Sequence, residues 1–177
     1  MSTLYVDSIQ PKTTGSQLTI APAIQTGAVL QIQSTTKSDL FSTTTTNSFV
    51  EITGLNVSIT PKATSSKVML TGIVGVGNTT ATAGVSIKVQ RNGIDIGIGD
   101  ANSSNKRSMA TTDVRAYQPR QLSINFLDSP LTTSACVYKV FVLSASATTR
   151  INASGENGTG TNHNRTISTI TAMEIGG

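Results

Sequence analysis

The sequence predicts an all-β protein: an antiparallel β-sandwich, jelly-roll-like, preceded by a short N-terminal β arm. Three observations carry this. Short runs rich in Val, Ile and Thr alternate apolar with polar residues at a period of two, the pattern of half-buried strands. Clusters of Gly, Asn, Ser and Pro punctuate the runs at short intervals. No stretch of useful length repeats its apolar residues at the helical period. Many short antiparallel strands with turns between them build a sandwich or a barrel, and the sandwich is the expectation here.

Composition explains how such a chain folds. Hydrophobic residues make up 37% of the 177 residues and charged residues 12%, the latter about half the usual share of roughly 25%. Thr supplies part of the missing apolar character, because it is β-branched and fits a pleated, half-buried surface. Low charge in a Ser/Thr-rich chain is easier to reconcile with a surface partly covered by identical subunits.

Residues 1–26 read as the arm. Leu4-Tyr5-Val6-Asp7-Ser8-Ile9 is a short strand, Pro11 to Gly15 a turn, and Gln17-Leu18-Thr19-Ile20 a second short strand ended by Ala21-Pro22. Two such strands are not stable alone, so they must pair with the main domain, a neighbouring subunit or another protein. Leu4, Tyr5, Val6 and Ile9 are the expected docking residues.

Residues 27–177 read as the sandwich. Val29 to Gln33 alternates, and Phe49 to Ile52 follows a Thr-rich connection at Thr43 to Thr46. Leu55, Val57 and Ile59 share one face. Lys67 to Val76 is apolar on both faces. Val85, Ile87 and Val89 point in, while Ser86, Lys88 and Gln90 point out. Asn92-Gly93 then predicts a type I′ hairpin into Ile94 to Ile98, because both central residues of that turn need positive φ. Residues 100–119 form a polar, basic connection. Leu122, Ile124 and Phe126 alternate with Ser123 and Asn125, Val137 to Leu143 is apolar on both faces, residues 154–165 are a Gly/Asn loop, and Thr166 to Ile175 is the last strand. An antiparallel sandwich strand normally turns one face to water. Met69, Ile73, Phe141 and Leu143 are therefore surplus apolar positions, expected to meet another subunit.

Little here supports chemistry. The chain has one His, one Cys and nine acidic residues, so no cofactor, no metal site and no enzyme activity are expected. Glycosidase chemistry needs two carboxylates across a cleft, and no pair stands out. A Ser-His-Asp triad would have to use His163, and no Gly-x-Ser-x-Gly elbow is present. Cys136 opens an apolar run and reads as a small buried hydrophobe. The net charge of +4 comes from having few acids, and the 13 Lys and Arg are scattered, with Lys106-Arg107 the densest group. Lacking a tight basic cluster interleaved with aromatics, the chain is expected to bind no nucleic acid. The first residues have neither a basic nor an apolar signal region, and no run approaches the roughly 20 apolar residues of a membrane span. The expectation is a protein made in a cytoplasm that inserts in no membrane.

The main binding candidate is the loop Ser154 to Arg165, with Glu156, Asn157, Asn162, His163, Asn164 and Arg165 as side chains that hydrogen-bond well to sugar hydroxyls. The competing reading is an ordinary flexible hairpin connection with a solvated His. Sugar sites usually add an aromatic for stacking, and Tyr117 in the 100–119 connection is the nearest of that type; Lys106 and Arg107 of the same connection are further contact candidates.

Several segments then resemble a family of small virion proteins of marine and cyanobacterial phages, of tail-fibre or receptor-binding-like type. They are Leu4-Tyr-Val-Asp-Ser-Ile9, Val29-Leu-Gln-Ile32, Ser48-Phe-Val-Glu-Ile-Thr-Gly-Leu-Asn-Val-Ser-Ile-Thr-Pro61, Phe126-Leu-Asp-Ser-Pro130, Val137-Tyr-Lys-Val140 and Ser168-Thr-Ile-Thr-Ala-Met-Glu-Ile175. Their order and spacing, over most of the chain, carry the likeness. It implies a virion structural protein, a homotrimeric β-sandwich held to other virion proteins through its N-terminal arm, with polar loops facing a host cell-surface receptor. The alternative it leaves open is a capsid decoration protein, head fibre or adaptor with a purely structural role on the virion.

Overall fold

The computed structural model describes residues 26–80, 82–114 and 116–177. Leu4, Tyr5, Val6 and Ile9 of the expected arm lie outside the described residues. Within them the chain is all-β, with two antiparallel sheets and no helix, and so no helix long and apolar enough to cross a membrane. The strands are β1 (Val29–Lys37), β2 (Phe41–Thr43), β3 (Phe49–Ile59), β4 (Lys67–Asn78), β5 (Gly84–Arg91), β6 (Ile94–Ile96), β7 (Ala110–Asp113), β8 (Arg120–Asp128), β9 (Cys136–Ser144), β10 (Thr149–Ile151) and β11 (Ser168–Ile175).

The first sheet runs β1-β11-β4-β8. β11 and β10 share one edge of β4, β11 along Lys67–Ile73 and β10 along Val76–Asn78, and β2 extends β10 outward. The second sheet runs β3-β9-β5, with β6 and β7 sharing the far edge of β5. Setting aside the three-residue strands β2, β6 and β10, the sheets read β1-β11-β4-β8 and β3-β9-β5-β7. The chain thus winds between them as two interleaved Greek keys, the jelly-roll order.

Alternation fixes which residues face the core. Val85, Ile87 and Val89 of β5 are fully buried, as are Val68, Leu70, Val74 and Val76 of β4 and Tyr138, Val140 and Val142 of β9. Each fully buried Val, Leu or Ile contributes roughly 1.5–3 kcal/mol of transfer free energy. Cys136 is buried here as well, and burial pushes its thiol pKa up, so it packs as a small apolar side chain. The Asn92-Gly93 turn has the expected geometry, with φ of 48° and 86°. Arg91 pairs with Ile94 across it.

Three features exceed the sequence reading. The segments at Phe49 and Leu55 are one strand, interrupted by a bulge between Glu51 and Asn56. The connection after β6 contains β7, and β10 precedes the 154–165 loop. The last strand starts at Ser168, two residues later than expected.

Polar side chains lock the two ends. At the end holding the Asn92-Gly93 turn, Asp128 of β8 faces Arg91 and Tyr138 of the other sheet. Arg91 donates from one nitrogen to both carboxylate oxygens (2.7 and 2.6 Å), and the Tyr138 hydroxyl donates at 2.7 Å. Burial, then the Asp128 carboxylate, raises the Tyr138 pKa, so it stays a neutral donor. Nearby, fully buried Glu174 accepts from Gln31 Nε2 (2.6 Å) and the Lys62 N–H (2.7 Å), pinning the β3–β4 turn. At the opposite end, Asn78 Nδ2 lies within 2.8–3.1 Å of Ser144, Ser146 and Thr149. Asn152, at φ 68°, ties the carbonyls of Lys37 and Asp39 to Ser168.

The two outer faces differ in chemistry. On the β3-β9-β5 sheet, Lys139 pairs with Glu51 at 3.0 Å and Lys88 with Asp95 at 2.8 Å. Lys88 also lies 4.6 Å from the centre of the Phe49 ring and 5.7 Å from that of Phe141. Leu143, directly opposite Phe49, is buried within the single chain. On the β1-β11-β4-β8 sheet, register places Ile32, Met173, Met69 and Leu127 side by side in one row across four strands. The next outward row is Ser34, Thr171, Thr71 and Asn125, and the one after is Thr36, Thr169, Ile73 and Ser123. None of these three rows carries a charge.

Two predictions follow from the locks. Tyr138→Phe removes one of the donors to a buried carboxylate and is expected to lower unfolding free energy by about 2 kcal/mol, measured by urea denaturation. Burial raises the Glu174 pKa, but hydrogen bonds from Gln31 and the Lys62 N–H, with the Lys62 charge, outweigh it, and the net shift is downward from 4.5. A lowered folded pKa stabilises above the unfolded value and is lost as pH falls through the folded one. Glu174→Gln is therefore expected to lower Tm at pH 7, and the gap to the parent is expected to close below about pH 4.

Candidate functional site

The loop after β10 is held by backbone constraints. A Cβ on Gly77 would collide with the carbonyl of Ala153, and one on Gly155 with the carbonyl of Asn78, so the loop base lies directly on the outer side of β4. The Asn152 N–H donates to the Gly75 carbonyl at 2.9 Å, and the Thr166 N–H to the Asn152 carbonyl at 3.2 Å. Ala153 bridges antiparallel to Arg165, which closes the loop at its neck.

Above this neck the 154–165 loop meets the 100–119 connection. The Glu156 N–H donates to the Ala116 carbonyl at 3.1 Å. One residue on, the Tyr117 ring meets the His163 ring edge-on, with centroids 5.8 Å apart at 66°. His163 is fixed from below by the buried Ser154 hydroxyl, 3.2 Å from Nδ1. Gly158 and Gly160 lie against the same ring, and a Cβ on Gly158 would clash with it. The ring of His163 is therefore packed rather than fully solvated. Ser154 and Gly155 are buried and His163 is half-buried, because a neighbouring connection supplies packing that the loop sequence does not contain.

The structure brings together some of the expected residues and separates others. Tyr117, His163, Glu156 and Asn157 share one end of the sandwich, and Asn162, Asn164 and Arg165 are exposed on the same loop. The Asn157 amide oxygen is withdrawn from solvent and has no hydrogen-bond partner among the described residues. Lys106 and Arg107 belong elsewhere. Arg107 Nε donates to the Gly99 carbonyl at 2.6 Å, beside the β6–β7 connection, and its charge helps to lower the Asp95 pKa. Neither residue hydrogen-bonds to the 154–165 loop among the described residues. Of the surplus apolar positions, Met69 and Ile73 lie on one outer face and Phe141 and Leu143 on the opposite one. Ile32, Met173 and Leu127, which complete the apolar row, escaped the sequence reading, since a single exposed apolar residue on a strand is unremarkable.

The arrangement offers an aromatic surface beside a loop that carries exposed amide, guanidinium and carboxylate side chains. Tyr117 is 53% exposed, enough to receive the apolar face of a ring, and the loop carries donors and acceptors for hydroxyl groups. Among the described residues, no group of three or more His, Cys, Asp or Glu side chains is placed to hold a metal ion.

The loop site and the start of β1 lie at opposite ends of the sandwich. β1 begins at Val29 beside Ile175, the Asp128 end. It finishes at Lys37 beside Ser168, the Asn78 end. The described chain therefore begins at the end remote from Tyr117 and His163.

No protein-family model and no curated protein matches the chain. Among solved structures, a chain of the infectious bursal disease virus T13 viral particle matches with a TM-score of 0.45 and 10% identity, over 82% of this chain and 39% of that one. A chain from the Gx strain of infectious bursal disease virus matches with a TM-score of 0.47 and 11% identity, over 98% of this chain and 42% of that one. This chain spans about two-fifths of the length of either viral chain. No functional statement follows from a likeness of this size.

Proposed function

We propose that the protein is a phage virion structural protein, a homotrimeric tail fibre or host-recognition module that binds a cell-surface receptor through its loops. The observation that carries this reading is the division of the molecule into two ends. The Tyr117–His163 platform and the 154–165 loop occupy one end, and the described chain begins at the other. A module that attaches to a particle and presents a surface away from it needs this polarity. The resemblance of six segments to small phage virion proteins supports the same reading. Two of them, Phe126 to Pro130 and Val137 to Val140, carry the Asp128–Tyr138 lock. In this reading Leu4, Tyr5, Val6 and Ile9 dock on another virion protein. The receptor chemistry best matched is a neutral sugar ring, stacked on Tyr117 and hydrogen-bonded by Asn162, Asn164 and Arg165. The protein acts without a cofactor and catalyses nothing.

The test is binding of the full chain to host cells and to purified host surface polysaccharide. Tyr117→Ala is expected to weaken binding at least tenfold with Tm unchanged, while Lys106→Ala, away from the loop, leaves it intact. Equal binding by the Tyr117→Ala variant and the parent would sink the assignment of this end as the receptor surface.

A further inference from the structure

We propose that copies of this chain associate through the outer face of the β1-β11-β4-β8 sheet, and that the outer face of the other sheet stays in solvent. The proposal rests on the homo-oligomeric reading above and assigns its surface. The first ground is the exposed apolar row. Ile32 is 57% and Leu127 47% exposed, with half-buried Met173 and Met69 between them. Register sets these four side chains on adjacent strands about 4.8 Å apart. They form a continuous ribbon, unlike the singly scattered apolar residues of an ordinary surface. Val29, 52% exposed, and its partner Ile175 continue it toward one corner.

Charge is the second ground and selects the occupant. The two rows beside the ribbon hold Ser, Thr, Asn and one Ile, and the hydroxyls of Ser34 and Thr171 satisfy each other at 2.8 Å. A face of this kind offers no ion pair to a charged partner and would bury a charge unpaired. A second copy presents the same uncharged rows. The other sheet already neutralises itself through Lys139–Glu51 and Lys88–Asp95 and covers Phe49 and Phe141 with the Lys88 side chain, so it needs no partner.

Area is the third ground. Four strands of about nine residues span on the order of 600 Å², close to the roughly 800 Å² that each partner buries in a standard interface. The rival occupant is the N-terminal segment, residues 1–25, since the described chain begins at a corner of this face. Its apolar positions Leu4, Val6 and Ile9 are interrupted by Asp7, a charge that the three uncharged rows would bury unpaired, the nearest cation being Lys67 beside Ile175 at the corner. A second copy fits the chemistry better.

The test measures solution mass by sedimentation at 1–50 μM, an ordinary working range, for the full chain and three variants. The variants are Ile32→Glu with Leu127→Glu, Ser58→Glu on the outer face of β3, and deletion of residues 1–25. Ile32, Leu127 and Ser58 point away from the core, so circular dichroism and Tm are expected to match the parent. The parent is expected near three times the 18.4 kDa of one chain. The double variant is expected to dissociate at least 100-fold more readily, with Ser58→Glu and the deletion remaining assembled. A double variant as assembled as the parent overturns the face assignment and leaves the homotrimer standing. Dissociation of Ser58→Glu, or of the deletion alone, moves the contact to the other sheet or to the arm and also overturns it. A parent that is monomeric throughout removes the homotrimer and this inference together.

Discussion

Asp128 ends β8 with its carboxylate turned toward the opposite sheet, where Arg91 and Tyr138 both donate to it. The core of a β-sandwich is apolar and non-directional, so by itself it tolerates sliding of one sheet on the other. A buried carboxylate does not. It fixes where β8 stops relative to β5 and β9, because a shift of one residue would leave a charge without its donors. Such a group adds alignment more than net stability, since desolvation offsets much of its attraction. Around it the rest becomes regular: the Asn92-Gly93 turn follows Arg91, and the Glu174 carboxylate fixes the next corner of the same end.

With this end locked, the other end is free to carry loops. The outward register of β4 places Gly75 and Gly77 under the chain after β10, where a Cβ on Gly75 would meet the Thr166 side chain and one on Gly77 the Ala153 carbonyl, so only glycine admits so close an approach. The loop is thereby pressed onto the sheet and against Ala116, which delivers Tyr117 to His163. The same register that buries Val68, Leu70 and Val74 pushes Met69, Thr71 and Ile73 outward, where Met173, Ile32 and Leu127 join them. The loop platform and the uncharged sheet face thus both follow from how β4 is seated.

Much of this was legible in the sequence. Alternation at Val85 to Gln90 and Leu122 to Phe126, and the Asn92-Gly93 turn, are local signals that the fold obeys. The short strands β2, β7 and β10 were not legible, because three or four residues carry no periodicity and their pairing is set by neighbours far along the chain. Arg91 lies 37 residues from Asp128, so their union needed the topology. Surplus apolar residues were recognised at Met69, Ile73, Phe141 and Leu143, but which face each occupied depended on pairing. Phe49 and Lys88 turned out to cover two of them. The packing of His163 was hidden because its partners are Tyr117 from another connection and a serine hydroxyl at the loop neck.

The account rests most heavily on the uncharged face of the β1-β11-β4-β8 sheet being covered by another copy of the chain. Met69 and Met173 lie side by side in it, and Met109 packs against the core as an internal reference. Methionine oxidation, which converts the thioether to a polar sulfoxide at a rate set by access, can be followed by mass spectrometry at each position as protein concentration is raised. The account predicts that oxidation of Met69 and Met173 slows together as the protein assembles, while Met109 is unchanged. Equal rates at all concentrations for Met69 and Met173, in a protein that does assemble, would contradict it.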